Sequence, residues 1–540
     1  MYQRNALMSP RAKRHAFNRH PDRRVMSLRL CRVRILASGQ TNEAVMRMPE
    51  IQAKTDIRTK SGTVRHFSQP HSKGTFMLYP QLLRVAKRAA TSLVTMACIS
   101  AIPSGLCAQP AQQYREISKK IIATATADSS LYERLATMCD TFGSRLSGSG
   151  SLEQAIDWIL AEARKEGYDA RGEEVKVPHW VRGEETCTMT SPRKKSIALL
   201  GLGGTIATPP DGVSGNVMVV SSFDELKRRA SEVPSKIVLY NVPFTEYGKT
   251  VTYRVQGAIE AARLGAVGSL VRSIGPYGIY TPHTGGMAYN DSVPKIPHAA
   301  ISLEDAEMIH RMVKRGQSVR LTLKTSGRWE PDATSRNVVF EIKGSEKPEE
   351  VVVMGGHIDS WDVGQGAMDD GGGCFAAWHA LNTIKKLGLK PKRTMRVVMF
   401  TNEENGLRGG KGYAAAHGKE KHVLAIESDE GTFKPQGFHH EGSKESLLWY
   451  QSLSPLLAPL GATTIVEGFG GADIGPLNQQ YGTNLLGLQV DGTRYFWYHH
   501  THGDTIDKLN PRELNECAAA MAIVAFVAAD AETPPMGVKK

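Results

Sequence analysis

Residues 349–388 read "EEVVVMGGHIDSWDVGQGAMDDGGGCFAAWHALNTIKKLG". The opening "EEVVVMGGH" is a near-continuous apolar run ending on His357, and "GGCFAAWHALNTIKKLG" has the three- and four-residue apolar spacing of a helix. An apolar strand followed by a helix is the repeating unit of a parallel sheet covered on both faces. The pattern continues with the strand "RTMRVVMFTN", the helix "GGKGYAAAHG" and the strand "HVLAIESD". The fold class expected is therefore α/β: a mostly parallel mixed sheet with helices on both faces. The middle of the stretch fits neither element, because its glycines would break a helix and its four aspartates would ruin a buried strand. It reads as a loop at the carboxyl end of a strand, where such sheets collect their ligands.

Upstream, residues 113–170 read as helical. "LYERLATMCDTFG" and "SLEQAIDWILAEARKEG" carry helical spacing, with Gly143 and Gly167 as stops. Short β-like runs follow ("EEVKVPHW", "ETCTMT", "SIALLGL"), and "GLGGT" reads as a tight turn rather than a dinucleotide fingerprint. From Val213 to about Thr325 the texture changes to short strands with one good helix, "RVQGAIEAARLGA". The expected organisation is a first portion of the main domain at 113–212, an inserted β-rich module at 213–326 and a second portion at 327–530. The module's "AARLGAVGSL" resembles the protease-associated domain.

The formal net charge of +13 belongs to the front of the chain. Residues 1–76 hold 16 Lys and Arg against 4 Asp and Glu, and residues 77–108 add Arg84, Lys87 and Arg88 with no acid. The rest is close to neutral, so the charge does not mark a nucleic-acid surface, and no nucleic-acid partner is expected. From Met77 a basic segment, an apolar run from about Ala89 to Ile102 and small residues at Gly105–Ala108 have the layout of a signal peptide too short for a membrane span. Residues 1–76 are expected to be a mis-assigned or disordered basic leader, and the mature protein to be secreted or periplasmic with no stable membrane insertion. Four cysteines remain beyond the leader (Cys139, Cys187, Cys374, Cys517), with no C-x-x-C pair. An oxidising compartment would permit one or two bridges among them.

Acidic motifs fall at successive strand ends. His357 and Asp359 end one strand, Glu403 and Glu404 the next, and Glu427 and Asp429 a third; "YHHTHGDT" adds His499, His500, His502 and Asp504, and a loop adds Asp369 and Asp370. Converging carboxylates repel unless a cation neutralises them. Imidazole and carboxylate without thiolate suit zinc, cobalt or manganese, and five candidate ligands suffice for two ions sharing a bridging carboxylate.

These motifs ("GGHIDSWDVGQGAMDDGGG", "FTNEENGLRGGKGY", "IESDEGTF", "YHHTHGDT") resemble the co-catalytic di-zinc exopeptidases of metallopeptidase family 28. The resemblance spans roughly residues 115–530. It implies two Zn²⁺ ions held by His357, Asp369, Glu404, Asp429 and His500, with Asp369 bridging. It also implies Glu403 as general base, Asp359 as the carboxylate orienting His357, and a cis peptide between Asp369 and Asp370. Asp504 is assigned a similar orienting part toward His500. The function expected is hydrolysis of short unblocked peptides, dipeptides foremost, with an aminopeptidase acting on longer peptides as the alternative; the assembly implied is a homodimer. Glycines 371–373 are expected to turn the chain sharply after Asp369 and to leave room beside the ions.

Other residues carry weaker signals. Cys374, His379 and His417 read as packed or satisfied side chains, His439 and His440 as loop residues, and "RYFWY" as a buried strand with Tyr498 near the pocket. Asp473 falls on an active-site loop of the family, where the histidine of many relatives is replaced by Ile474. Arg408, Lys411 and Arg494 are candidates to hold a substrate carboxylate. Family 20 metallopeptidases share the H-x-D and Glu-Glu order but carry their extra domain after the Glu-Glu strand, whereas here the insert precedes His357. A non-enzymatic binding protein or a single-zinc cyclase on this scaffold should have lost ligands, and none is missing.

Overall fold

The computed structural model describes residues 109–538. The expected leader at 1–76 and signal peptide at 77–108 lie outside the described residues. The main sheet has eight strands in the spatial order Arg171–Val181, Arg328–Ile342, Arg393–Phe400, Lys347–His357, Lys421–Glu427, Asn484–Val490, Pro435–Glu441 and Thr464–Glu467. The central four, from Arg393–Phe400 to Asn484–Val490, run parallel. Their antiparallel neighbours on either side make the sheet mixed.

Strand Lys347–His357 shows why the sheet is covered twice. Alternate side chains leave opposite faces of a strand. Val352 and Met354 pack on one face with Phe375 and Trp378 of the helix Gly372–Lys386. Val351 and Val353 pack on the other with Tyr413 of the helix Arg408–His417. The first face also receives the helix Pro511–Asp530, buried all round from Leu514 to Ala529 and capped by the Asn510 side chain. A helix apolar on every side belongs in an interior. It is not a span: no helix among the described residues is long and apolar enough to cross a membrane.

A second eight-stranded sheet has the order Lys195–Ile197, Glu185–Ser191, Arg320–Thr325, Val213–Val220, Lys236–Tyr240, Gly268–Arg272, His298–Ile301 and Leu199–Gly201. Only Ala198 separates the two edge strands along the chain, so the sheet must curl until its edges approach. Strands 185–201, read from composition as part of the first portion of the main domain, pair here instead: Cys187 lies opposite Leu323 and Leu200 opposite Ala300. Short strands carry no marker of their partner sheet, and long-range pairing decided it. The inserted sheet is also less purely β than its texture suggests. Four of its strands are parallel and it carries the helices Tyr247–Arg263 and Leu303–Lys314.

Two further expectations change. "RYFWY" forms a 3₁₀ turn at Gly492–Arg494 followed by one helical turn at Tyr495–Tyr498, started by the Asp491 side chain accepting from Thr493 N–H. Aromatic packing overrides β propensity there, with Tyr495 and Phe496 both against the His499 ring. His439 and His440 lie in the strand Pro435–Glu441, not in a loop. Cys139, Cys187, Cys374 and Cys517 are all buried and free, so none of the bridges considered is formed among them.

His417 ties the helix Arg408–His417, which follows the Glu403–Glu404 turn, to the edge strand. Its Nδ1 lies 2.7 Å from a Glu420 oxygen and its Nε2 2.9 Å from a Glu173 oxygen. These carboxylates push the imidazole up to about 9, and His417 with Arg396 outweighs burial to hold Glu420 down at about 2. The folded imidazole value is raised above the ordinary 6.5, so its stabilisation is complete below that value and is lost as pH rises through about 9. Substituting His417→Gln should therefore lower the melting temperature most near pH ~6, and the difference should shrink toward pH ~10. A difference constant across that range would contradict a charged pair.

Candidate metal centre and active-site cleft

The strand ends deliver their residues by three different local devices. His357 is the last residue of its strand and 1% exposed. After the strand Arg393–Phe400, Asn402 adopts φ +66, a left-handed conformation that asparagine tolerates better than most residues. The turn it starts carries Glu403 and Glu404, so the two neighbours diverge from a turn rather than from an extended strand. His500 also has a left-handed φ of +60, nine residues beyond Asp491.

These side chains meet around Asp369. Oδ1 of Asp369 lies 3.2 Å from His357 Nε2, which is also 3.2 Å from Asp429 Oδ1. Oδ2 of Asp369 lies 3.4 Å from His500 Nε2, which is 3.0 Å from Glu404 Oε2. One carboxylate thus faces two adjacent imidazole–carboxylate pairs, one with each oxygen. The five expected ligands are brought together, and Glu403 lines the same cleft. His499 stands beside them, stacked on His500 with ring centroids 3.5 Å apart and Nε2 3.6 Å from Asp369. Asp370 joins His357 and Asp429 in a third potential ligating group. The Asp369–Asp370 peptide is cis.

The residues fit a divalent metal centre. Oδ2 of Asp369 is buried without a hydrogen-bond partner, an expensive state for a carboxylate oxygen that no cation neutralises. Two carboxylates about 4 Å apart repel by about 4 kcal/mol at an effective dielectric constant of 20, and several converge here. Burial, reinforced by Asp429, Asp359 and Asp369, pushes Glu403 up to about 8. Burial and Asp369 raise Glu404 well above the carboxylate range. Asp369 alone is lowered, because the hydrogen bond from His357 and the neighbouring imidazoles outweigh burial. Burial lowers His500 to about 3, leaving its imidazole neutral, as a ligand must be.

The supports differ from those expected. His357 Nδ1–H is accepted at 2.9 Å by the main-chain oxygen of Asp359, while the Asp359 carboxylate is 3.8 Å away. The strand ends at His357, so two-residue alternation does not extend to Asp359. Its carboxylate instead accepts from the Glu403 N–H at 3.0 Å and from Ser147. Asp504 does not touch the His500 ring. It accepts the N–H groups of Ala367, Met368 and Asp369 and so pins the loop that carries the Asp369 carboxylate. His500 Nδ1 faces the carbonyl of Thr284 at 3.3 Å, and Thr284 N–H donates back to the His500 carbonyl at 2.9 Å. The inserted sheet's chain therefore orients this imidazole. Glycines 371–373 are not left-handed. What Gly373 needs is space, since a Cβ there would stand 2.1 Å from the Ser428 carbonyl and 2.5 Å from Asp370.

The cleft has a volume of about 740 Å³, and the insert supplies part of its wall through Tyr247, Arg254 and Met287. Sequence reasoning missed these, because nothing along the chain says which insert residues face a site some hundred positions away. The three cations considered for substrate are placed otherwise: Arg494 lies over the Phe433 ring and reaches Glu513, Lys411 donates to Gly406 from the surface, and Arg408 is absent from the cleft wall. Asp473 lies buried with both carboxylate oxygens unpartnered, raised by burial and by Glu427 and Glu403. Tyr495 rather than Tyr498 lines the cleft.

A family model described as Peptidase family M28 matches residues 337–525. Carboxypeptidase Q of Mus musculus is 47% identical over 423 residues, covering 77% of this chain and 90% of its own length. The chain belongs to peptidase family M28. Among solved structures, the Peptidase M28 precursor from Shewanella amazonensis SB2B superposes with a TM-score of 0.76 at 35% identity, over 79% of this chain and 100% of that one. A zinc aminopeptidase from Bacillus subtilis, at 18% identity and a TM-score of 0.55 over 74% of this chain and 95% of its own, shares the fold. The α/β class and the family resemblance read from the motifs both stand, and this M28 member is a metallo-exopeptidase.

The buried acids make a thermodynamic prediction. Glu403, Glu427 and Asp504 hold protons up to about 8, 7 and 7 in the folded metal-free chain, against ordinary values of 4.5, 4.5 and 3.8. The folded state then binds more protons than the unfolded one across that window, so its stability falls as pH rises through it. With chelator present, the melting temperature should fall from pH ~5 to ~8, and added zinc should offset the loss increasingly toward the alkaline end. Parallel chelated and zinc-treated curves would contradict the site.

Proposed function

We propose that this protein is an exported di-zinc exopeptidase that hydrolyses the peptide bond of short unblocked peptides, dipeptides foremost. The observation that carries the reading is the Asp369 carboxylate, each of whose oxygens faces a different imidazole–carboxylate pair. His357, Asp369 and Asp429 would hold one ion, and His500, Glu404 and Asp369 the other. Zinc in such a pair supplies Lewis acidity, bringing the ionisation of water toward neutral pH and polarising a carbonyl.

The chain's own residues then have distinct parts. Glu403 takes the proton of the attacking water on its carboxylate and returns it to the departing amine. Asp359 fixes that base through the Glu403 N–H, and its main-chain oxygen fixes the tautomer of His357. Asp504 holds Asp369, and Thr284 holds His500. The insert, bounded by sheet membership at Glu185–Thr325, is proposed as a protease-associated domain that closes one side of the cleft. Cobalt or manganese would serve the same nitrogen and oxygen ligands. Export follows from the signal-peptide layout at 77–108, and a homodimer from the likeness to carboxypeptidase Q.

Zinc-loaded protein should hydrolyse free dipeptides and lose that activity in chelator. Glu403→Gln should lower kcat by about a hundredfold or more while two zinc ions per chain remain by elemental analysis. Asp369→Asn should lose metal as well as activity. Chelator-resistant hydrolysis, or an active Glu403→Gln enzyme, would remove the proposal; cleavage confined to longer peptides would move it to an aminopeptidase.

A further inference from the structure

Arg254 is a buried cation without a counter-ion. It lies in the helix Tyr247–Arg263, is 7% exposed and lines the cleft that holds the carboxylates. Its Nε donates to the Gly286 carbonyl at 3.3 Å, Nη1 to the Thr284 carbonyl at 3.3 Å and Nη2 to the Tyr247 hydroxyl at 2.9 Å. None of these partners is charged, and among the described residues no carboxylate lies within ion-pair distance. The guanidinium packs so closely on Gly285 that a Cβ there would stand 2.3 Å from it. Its position is therefore built, and a charge held that deep without an opposite one is unfavourable.

A guanidinium has five N–H donors. Three are spent on the contacts above. Nη1 also lies 3.5 Å from His500 Nδ1, whose own proton goes to the Thr284 carbonyl, so that neighbour accepts nothing. Two donors remain, one on each terminal nitrogen, which is the number a carboxylate takes in a forked pair. Electrostatics favour an anion too. Several carboxylates line the same cleft, but among the described residues none of them pairs with Arg254, so its charge is open to an anionic ligand.

Resting on the exopeptidase reading, we propose that Arg254, braced by Tyr247, is the anchor for the free α-carboxylate of the peptide substrate. The guanidinium stands against the back of the His500 ring, within one side chain's reach of the metal centre. A carboxylate held there belongs to the residue next to the cleaved bond, since one residue advances the chain by about 3.8 Å. Substrates are thus dipeptides or peptides losing their last residue, and a blocked carboxyl terminus is disfavoured.

The test compares alanyl-leucine with alanyl-leucinamide as substrates, and leucine with leucinamide as calorimetric ligands, on zinc-loaded protein and on Arg254→Gln and Arg254→Lys. In the unsubstituted protein the free acids should be preferred by about tenfold or more, the worth of a charge-assisted pair. Arg254→Gln should erase the preference by raising KM for the acid far more than for the amide, and Arg254→Lys should restore part of it. Equal binding of leucine and leucinamide by the unsubstituted protein overturns the anchor whatever the variants do, as does a variant that weakens acid and amide alike. Hydrolysis of both substrates without preference leaves the peptidase standing and removes the anchor. Arg254-dependent leucine binding without any hydrolysis keeps the anchor and removes the peptidase.

Discussion

Everything in this molecule is arranged around one electrostatic difficulty, the crowding of buried carboxylates along one wall of a cleft. Asp369, Glu403, Glu404 and Asp429 come within reach of one another at the carboxyl edge of a sheet whose strands are apolar on both faces. A folded chain tolerates that concentration only with protons or cations among the oxygens. The raised values of Glu403 and Glu404 are the proton solution; the two faces of Asp369 are the cation solution. The same crowding that burdens the metal-free chain is what gives it affinity for divalent ions.

Rigidity is supplied from behind. Three consecutive backbone N–H groups fix on Asp504, a left-handed Asn402 aims the Glu403–Glu404 turn, and the helix Pro511–Asp530 fills the core under the sheet. Three hydrogen bonds converging on one side chain hold the loop that carries Asp369 in place. The insert contributes as well: Thr284 grips His500 by both its backbone and its ring. A module that looks separate in sequence is part of the metal site's outer support and of the cleft wall.

Much of this was legible without coordinates. The apolar strands, the helices stopped by Gly143 and Gly167, and the ligand-bearing strand ends each write their signal locally, through side-chain periodicity and residue type. Metal chemistry is similarly local, because it demands imidazole and carboxylate whatever surrounds them. The supports were not legible. Which oxygen of Asp359 meets His357, which group orients His500, and which of two neighbouring histidines stands closer to Glu404 are differences of an ångström set by backbone turns.

The sequence alone therefore determined the α/β class and the family, since each depends on short-range pattern and donor chemistry. Only the tertiary structure decided that strands 185–201 join the second sheet, that "RYFWY" turns rather than extends, and that Arg254 of the insert enters the cleft. Those outcomes depend on contacts between residues far apart along the chain, and the free energy of such a contact is written in neither partner by itself.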